Sequence, residues 1–392
     1  MLPVLIRRVA GMAPKSFWPG TRMAALMKLL AIGLSYQSAL HSHSAKSPKY
    51  GDISRWLTIA KSLVMVLLIL LSQTAAANEF DWTNFKQRFM ESDGRVTDPS
   101  QGDISHSEGQ GFAMLLAVHY GDSAAFGQLW QWTQQHLQVR DDSLLAWRWQ
   151  PQLGITDRNN ASDGDLLVAW SLLRAYEKWH TLAYLKASQK IARDIRGKLL
   201  RKTAHGLILL PGIEGFDKPE GITINLSYWV FPALSEIGRA DPAPEWDELT
   251  RTGMTILQYA KFGRWGLPPD WLLLGEKVKP ANGLPERFSY NAVRIPLYLL
   301  WGHQESEALL KPYRDFWGYF TGGRFMPAWT NFNDDSVDSY DASAGIHAIA
   351  LWVTGFPDPL PVRLANIDDQ QGYYSTMLLL LSKMAVDERG GR

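Results

Sequence analysis

Apolar residues recur at three- and four-residue spacing through most of the chain after position 79, the signature of helices with one buried face. The pattern predicts helices over Phe80–Phe89, Glu108–Tyr120, Asp122–Leu137, Asp163–Trp179, Leu182–Leu199 and Tyr228–Ile237. It predicts further helices over Pro244–Phe262, Phe288–Trp301, Ser306–Phe320, Ala342–Val353 and Asp368–Val386. Strand-like alternation is scarce, and Gly206–Leu210 is its best instance. No linker or low-complexity stretch breaks the pattern, so residues 78–392 read as a single all-α domain.

A weak internal repeat shapes this domain further. Five segments open on a polar or acidic cluster and then turn strongly apolar: SEGQGFAMLLA from Ser107, SDGDLLVAWSLL from Ser162, LSYWVFPAL from Leu226, SYNAVRIPLYLL from Ser289 and YDASAGIHAIAL from Tyr340. Successive starts lie 55, 64, 63 and 51 residues apart, room for one helix out and one back. Helices that are apolar almost all round are buried on most sides, so these form an inner ring with the more amphipathic helices outside. The expectation is an (α/α)6 barrel of helical hairpins whose polar clusters converge at one mouth.

Residues 1–77 have a different character. Ser62–Ser72 is an unbroken apolar run preceded by Arg55 and Lys61 and followed by Ala75-Ala76-Ala77. A basic region, a short apolar stretch and an Ala-x-Ala site describe a secretory signal cleaved after Ala77. The run is short of the roughly 20 apolar residues that a membrane span needs; an uncleaved anchor over residues 62–77 is the alternative. The expected destination is therefore the periplasm or the exterior.

Charge separates the same two parts. Residues 1–77 carry nine Lys or Arg and one acid, Asp52, which leaves residues 78–392 with 31 basic and 38 acidic side chains, a net charge of −7. An acidic body argues against nucleic acid as a partner. Cys is absent, which removes thiol nucleophiles, thiolate metal sites and disulfides. There is no Gly-x-Ser-x-Gly elbow, Walker loop or His-Glu-x-x-His motif, and neither a metal nor an organic cofactor is expected. The 17 Trp outnumber Phe and Tyr. Indoles mostly bury in cores, but their faces also stack on pyranose rings.

Carboxylates and amides at the repeat starts remain as chemistry. Glu108, in Ser107-Glu108-Gly109-Gln110-Gly111, stands where an acid often only compensates a helix dipole. Its flanking glycines are unfavourable inside a helix and would let a ligand approach the backbone. Asp163 and Asp165 repeat the theme: one is expected to cap its helix, the other to face the mouth.

HSEGQGFAMLLAV, then ASDGDLLVAWSLL some fifty residues on, LPGIEGF, NLSYWVFPAL, PPDW and FSYNAVRIPLY resemble, in this order, the motifs of glycoside hydrolase family 8. The likeness spans nearly all of residues 79–385, and its spelling is most similar to endoglucanases found beside bacterial cellulose synthases. It implies an (α/α)6 barrel and inverting hydrolysis of a β-1,4-linked polysaccharide. It implies Glu108 as general acid, one of Asp163 and Asp165 on the sugar hydroxyls, and Trp147, Tyr228, Tyr290 and Arg294 as walls of the cleft. It further implies a β-1,4-glucan substrate and a functional link to a cellulose synthase complex.

One position departs from the pattern. Many members carry an Asp as catalytic base where this chain has Asn291, and an amide cannot take a proton from water at neutral pH. Asn291 can orient the water, while the acceptor is left among Glu286, Glu276, Asp341 and the Asp163/Asp165 pair. Two other readings stay open: a xylanase or chitosanase on the same barrel, and a non-catalytic glucan-binding protein, which the Asn suggests.

Overall fold

The computed structural model describes residues 81–320, 325–356, 358, 362 and 370–390. The expected signal peptide lies outside them. The helices are α1 (81–89), α2 (Ser107–Tyr120), α3 (Ser123–His136), α4 (Ser162–Trp179), α5 (Leu182–Leu199), α6 (Phe231–Ala240), α7 (Pro244–Tyr259), α8 (Arg294–Trp301), α9 (Glu307–Phe320), α10 (Ala344–Gly355) and α11 (Tyr373–Gly390).

Local chemistry sets many of the ends. Asp122 caps α3 by accepting from the Ala125 amide at 3.0 Å, as short polar side chains do at helix starts. Gly121, at φ 75°, closes α2 in the left-handed conformation that favours glycine. Pro244 opens α7, where its missing N–H leaves no bond unmade.

Burial then sorts the helices into two layers. α2 is buried continuously from Gly109 to Val118 and α11 from Ser375 to Val386, whereas α5 buries only Ser188, Ile191, Ala192, Ile195 and Leu199. The inner helices α2, α4, α6, α8, α10 and α11 each touch the next, and α11 returns to α2, closing the ring. Outside it, α3 packs on α2, α5 on α4, α7 on α6 and α9 on α10. The fold is the all-α (α/α)6 barrel that the repeat predicts, within a compact unit spanning Thr74–Arg392.

Two differences from the sequence expectation concern the site. Short strands dress the mouth: β1 (Ser105–His106), β2 (Arg148–Gln150) and β3 (Gly154–Asp157) form an antiparallel sheet. A four-stranded sheet runs in the order β6 (Asp217–Lys218), β7 (Gly221–Ile224), β8 (Leu272–Leu274), β9 (Val278–Pro280). The pairs β4 (Leu200–Thr203) with β5 (Gly206–Leu209) and β10 (Arg287–Phe288) with β11 (Thr330–Asn331) complete them. β5 lies within the Gly206–Leu210 run that the sequence marks as strand-like, and the other segments, of two to four residues, are too short for alternation to register. Second, α8 starts at Arg294 rather than Phe288, because the Asp270 carboxylate accepts from the amides of Ser289, Asn291 and Ala292 and draws them into a turn. Among the described residues, no helix is long and apolar enough to cross a membrane.

Candidate active site

The start of α2 is built before its carboxylate is placed. Strand β1 pairs His106 with Arg148, and the Ser107 amide donates to the Trp147 carbonyl at 3.1 Å, fixing Trp147 beside the helix end. His106 is the N-cap, its Nδ1 accepting from the Gly109 amide at 3.0 Å. That bond requires an unprotonated Nδ1, and burial, helped by the Arg294 charge, pushes His106 down to about 4 against the opposing pull of Asp98. A neutral imidazole thus caps the helix, and Glu108 is left for other work.

Glu108 is 21% exposed at the barrel mouth and in direct contact with the guanidinium of Arg294, itself only 3% exposed. The same Arg294 Nη1 lies 3.6 Å from Asp163 Oδ2. Its Nη2 donates to Ser227 Oγ at 3.0 Å and to Asn291 Oδ1 at 3.1 Å. One cation therefore joins residues from four repeat starts: Glu108, Asp163, Ser227 and Asn291. Because guanidinium only donates, the oxygen of Asn291 faces Arg294 and its amide nitrogen points elsewhere.

The glycines of these motifs serve helix packing, not ligand approach as expected from sequence. A Cβ on Gly164 would lie 2.1 Å from Ser107 Oγ and 2.8 Å from the Glu108 amide, and one on Gly111 would lie 2.6 Å from Leu167 Cβ. The missing side chains let α2 and α4 meet closely, bringing Glu108 and Asp163 onto one guanidinium.

The two aspartates of α4 part company. The N-cap is Ala161, without a side-chain bond, so neither aspartate caps the helix. Asp163 Oδ1 accepts from the Gly164 amide at 2.8 Å, and burial pushes its carboxyl up to about 7. The backbone amides of Gly164 and Asp163 oppose this rise without reversing it. Asp165 does not share the Arg294 cluster: it accepts from the Leu145 amide at 2.8 Å and from Asn160 Nδ2 at 2.7 Å, and burial raises it to about 7 as well.

Aromatic side chains surround this floor. Tyr228 is held well above its ordinary value by burial and then by the Asp163 charge, and its ring stands edge-on to Trp271 at 6.0 Å. Trp271 stacks on Phe216 at 5.8 Å. Tyr290 and Tyr340 bring their hydroxyls within 3.4 Å of each other, and the Tyr374 hydroxyl donates to the Tyr290 carbonyl. Sequence reasoning missed Trp271, Phe216, Tyr340 and Tyr374; the first two stand inside the quoted PPDW and LPGIEGF motifs.

The other acids lie apart from Arg294 or are already engaged. Asp341 is 57% exposed, with His347 Nε2 at 2.8 Å and the Met326 amide donating to it at 2.9 Å. Glu286 and Glu276 are exposed. Asp270, which sequence reasoning also missed, is buried and takes the Ser289 hydroxyl besides three amides. Among the described residues, no cluster of His, Asp or Glu is suited to hold a metal ion.

The model of the family described as glycosyl hydrolases family 8 matches residues 57–388. A probable endoglucanase of Novacetimonas hansenii is 35% identical over 309 residues, covering 78% of this chain and 89% of that protein. Endoglucanase Cel10 of Klebsiella pneumoniae, a family 8 glycosyl hydrolase, superposes with a TM-score of 0.75 at 37% identity, covering 79% of this chain and 99% of that one. Endo-beta-1,4-glucanase CMCax of Acetobacter xylinum superposes with a TM-score of 0.76 at 34% identity, covering 81% and 99%.

Proposed function

The chain belongs to glycosyl hydrolase family 8, and from that premise we propose that it is an endo-1,4-β-glucanase that inverts the anomeric carbon of its substrate. Such a reaction needs a protonated carboxyl on the leaving oxygen and an activated water on the opposite sugar face. The observation that carries the reading is the pairing of a partly exposed carboxylate, Glu108, with a half-buried amide, Asn291, on one guanidinium. Glu108 is the general acid: an incoming sugar displaces it from Arg294, and it protonates the glycosidic oxygen. Asn291 holds the water by donation from its amide nitrogen. Trp147, Tyr228 and Tyr290 offer aromatic faces to the pyranose rings, with Asp163 facing the sugar from the floor.

The run over residues 62–77 exports the protein, and its task outside is to trim β-1,4-glucan during cellulose synthesis. Tagged chain recovered from the periplasm or medium with a new N-terminus near Asn78 is the expected result; retention in the membrane fraction would instead mark an anchor.

Activity is tested by incubating residues 78–392 with carboxymethylcellulose, xylan and chitosan and measuring reducing ends, with proton NMR of the first-formed anomer. Release from carboxymethylcellulose alone, as the α-anomer, is expected. Faster release from xylan or chitosan would reassign the substrate. Binding of cello-oligosaccharides without turnover would make the protein a glucan-binding module.

A further inference from the structure

We propose that an aromatic platform on the outer rim of the barrel, formed by Tyr319, Trp265 and Arg264, binds a segment of β-1,4-glucan outside the cleft that holds Glu108. The inference rests on the glucanase reading for its ligand and adds a second place where the polymer is held.

Inner helices start at the mouth and outer ones run back toward it, so α7 and α9, which touch each other, both end on the rim. Just beyond α7 the chain presents Arg264 and Trp265, and Tyr319 stands in the last turn of α9. Trp265 is half-buried, its ring edge-on to the buried Phe316 at 5.8 Å and inclined to Tyr319 at 5.1 Å. Packing accounts for Trp265. It does not account for Tyr319, which is 62% exposed. A lone exposed ring needs no ligand, but this one is held in place. The Arg264 guanidinium lies 4.6 Å from the centre of the Trp265 ring and 5.1 Å from that of Tyr319, cation–π distances that fix the three side chains together. Among the described residues, no carboxylate pairs with this guanidinium: Asp335 accepts from the Arg264 backbone amide, at 3.1 Å. Tyr319 thus offers a pinned ring, and Arg264 has N–H donors free for an outside acceptor.

That pairing suits a glucan, whose sugar rings have apolar faces for stacking and hydroxyls at their edges. The same side chains would also suit a protein interface, and position favours the polymer. Asp335 lies in the segment after β11, where the Phe332 amide donates to the Glu286 carbonyl at 3.0 Å. β11 pairs with β10, which runs into the turn carrying Tyr290 and Asn291. From the other side, Trp265 precedes by five residues Asp270, whose carboxylate shapes that turn. Five residues span at most about 17 Å. The platform is therefore tied to the edge of the cleft, and a long chain lying across the mouth crosses the rim on its way out.

The test uses the full chain carrying Glu108→Gln, so that polymer is bound without being consumed, and measures adsorption to phosphoric-acid-swollen cellulose. Adding Tyr319→Ala with Arg264→Ala should weaken adsorption roughly 3–10-fold, the order that one aromatic face contributes. Tyr319→Trp, which keeps a face, should adsorb like its parent. With Glu108 intact, the double variant should release reducing ends from swollen cellulose more slowly while its kcat on cellopentaose, which reports the cleft, is kept. Both side chains are exposed, so neither replacement empties the core. The proposal is overturned if the double variant adsorbs like its parent, if Tyr319→Trp adsorbs no better than Tyr319→Ala, or if kcat on cellopentaose falls in step. A chain with Glu108 intact that releases no reducing ends from any glucan sinks the glucanase reading instead, and adsorption in the Glu108→Gln background still decides the platform.

Discussion

Helix α4 carries a buried arginine cluster at each end, and the two differ in how completely they are bonded. At the far end, Arg174 sits between Glu236 and Glu388. Its Nε and Nη2 donate to Glu236, each at 2.8 Å, and its Nη1 pairs with Glu388. Trp170 and Trp301 donate to the same two carboxylates at 2.6 and 2.7 Å, and the guanidinium lies 4.2 Å from the centre of the Trp170 ring. At the mouth, about 17 Å away along the helix, Arg294 touches Glu108 but stays 3.6 Å from Asp163. The buried hydroxyls of Ser107 and Ser162 nearby have no protein partner among the described residues. A saturated cluster fastens helices together, whereas one with spare hydrogen-bonding capacity can exchange protein partners for substrate.

The sharpest way to break the comparison is to neutralise one charged side chain at each end. Glu108→Gln should lower carboxymethylcellulose hydrolysis by roughly 10²–10⁴-fold and leave the melting temperature nearly unchanged. Arg174→Met should do the reverse, destabilising the fold by about 3–5 kcal/mol, because it strands buried carboxylates, with kcat per folded molecule preserved. Denaturant melts and titrated active enzyme check both. A smaller effect is expected from Gly164→Ala, whose new methyl meets Ser107 and the Glu108 amide. Overpacking of this kind costs about 1–3 kcal/mol, and displacement of Glu108 should also lower kcat.

The smallest effect is on pH dependence, where the two ends should have opposite signs. Burial raises Asp163 to about 7, so the folded state keeps a proton that the unfolded chain has lost. Stability from this group is full below the ordinary carboxylate range and falls as pH rises toward about 7. Burial would raise Glu236 too, but its bonds to Arg174 and Trp170 hold it below its usual value. Its contribution is present at neutral pH and lost as pH falls through the acidic range. Relative to wild type, Asp163→Asn should therefore gain melting temperature from acid to neutral pH, and Glu236→Gln should lose it. Parallel melting curves for the two variants would contradict the contrast.

Much of this was legible from local pattern. The bounds of α5, Leu182–Leu199, follow from its amphipathic spacing alone, and the five polar-to-apolar repeat starts disclosed the ring and its mouth. Glu108 was legible for the same reason, since the acid stands in the first turn of an otherwise apolar helix. The glycines beside it were legible as exceptions but not in purpose, because the atoms they make room for belong to another helix. The late start of α8 could not be read either. It depends on Asp270, which lies in the preceding segment and meets Ser289 to Ala292 only once the chain has turned back.

What the sequence determined by itself was the periodicity, the order of the motifs and the stock of titratable groups, because each is a matter of neighbours along the chain. Only the tertiary structure decided which of two aspartates, two residues apart on α4, shares a cation with Glu108. Asp163 and Arg294 are separated by more than a hundred residues, and on one helix turn Asp163 and Asp165 point to different sides. Ring closure turned Asp163 toward Arg294 and left Asp165 against Leu145 and Asn160.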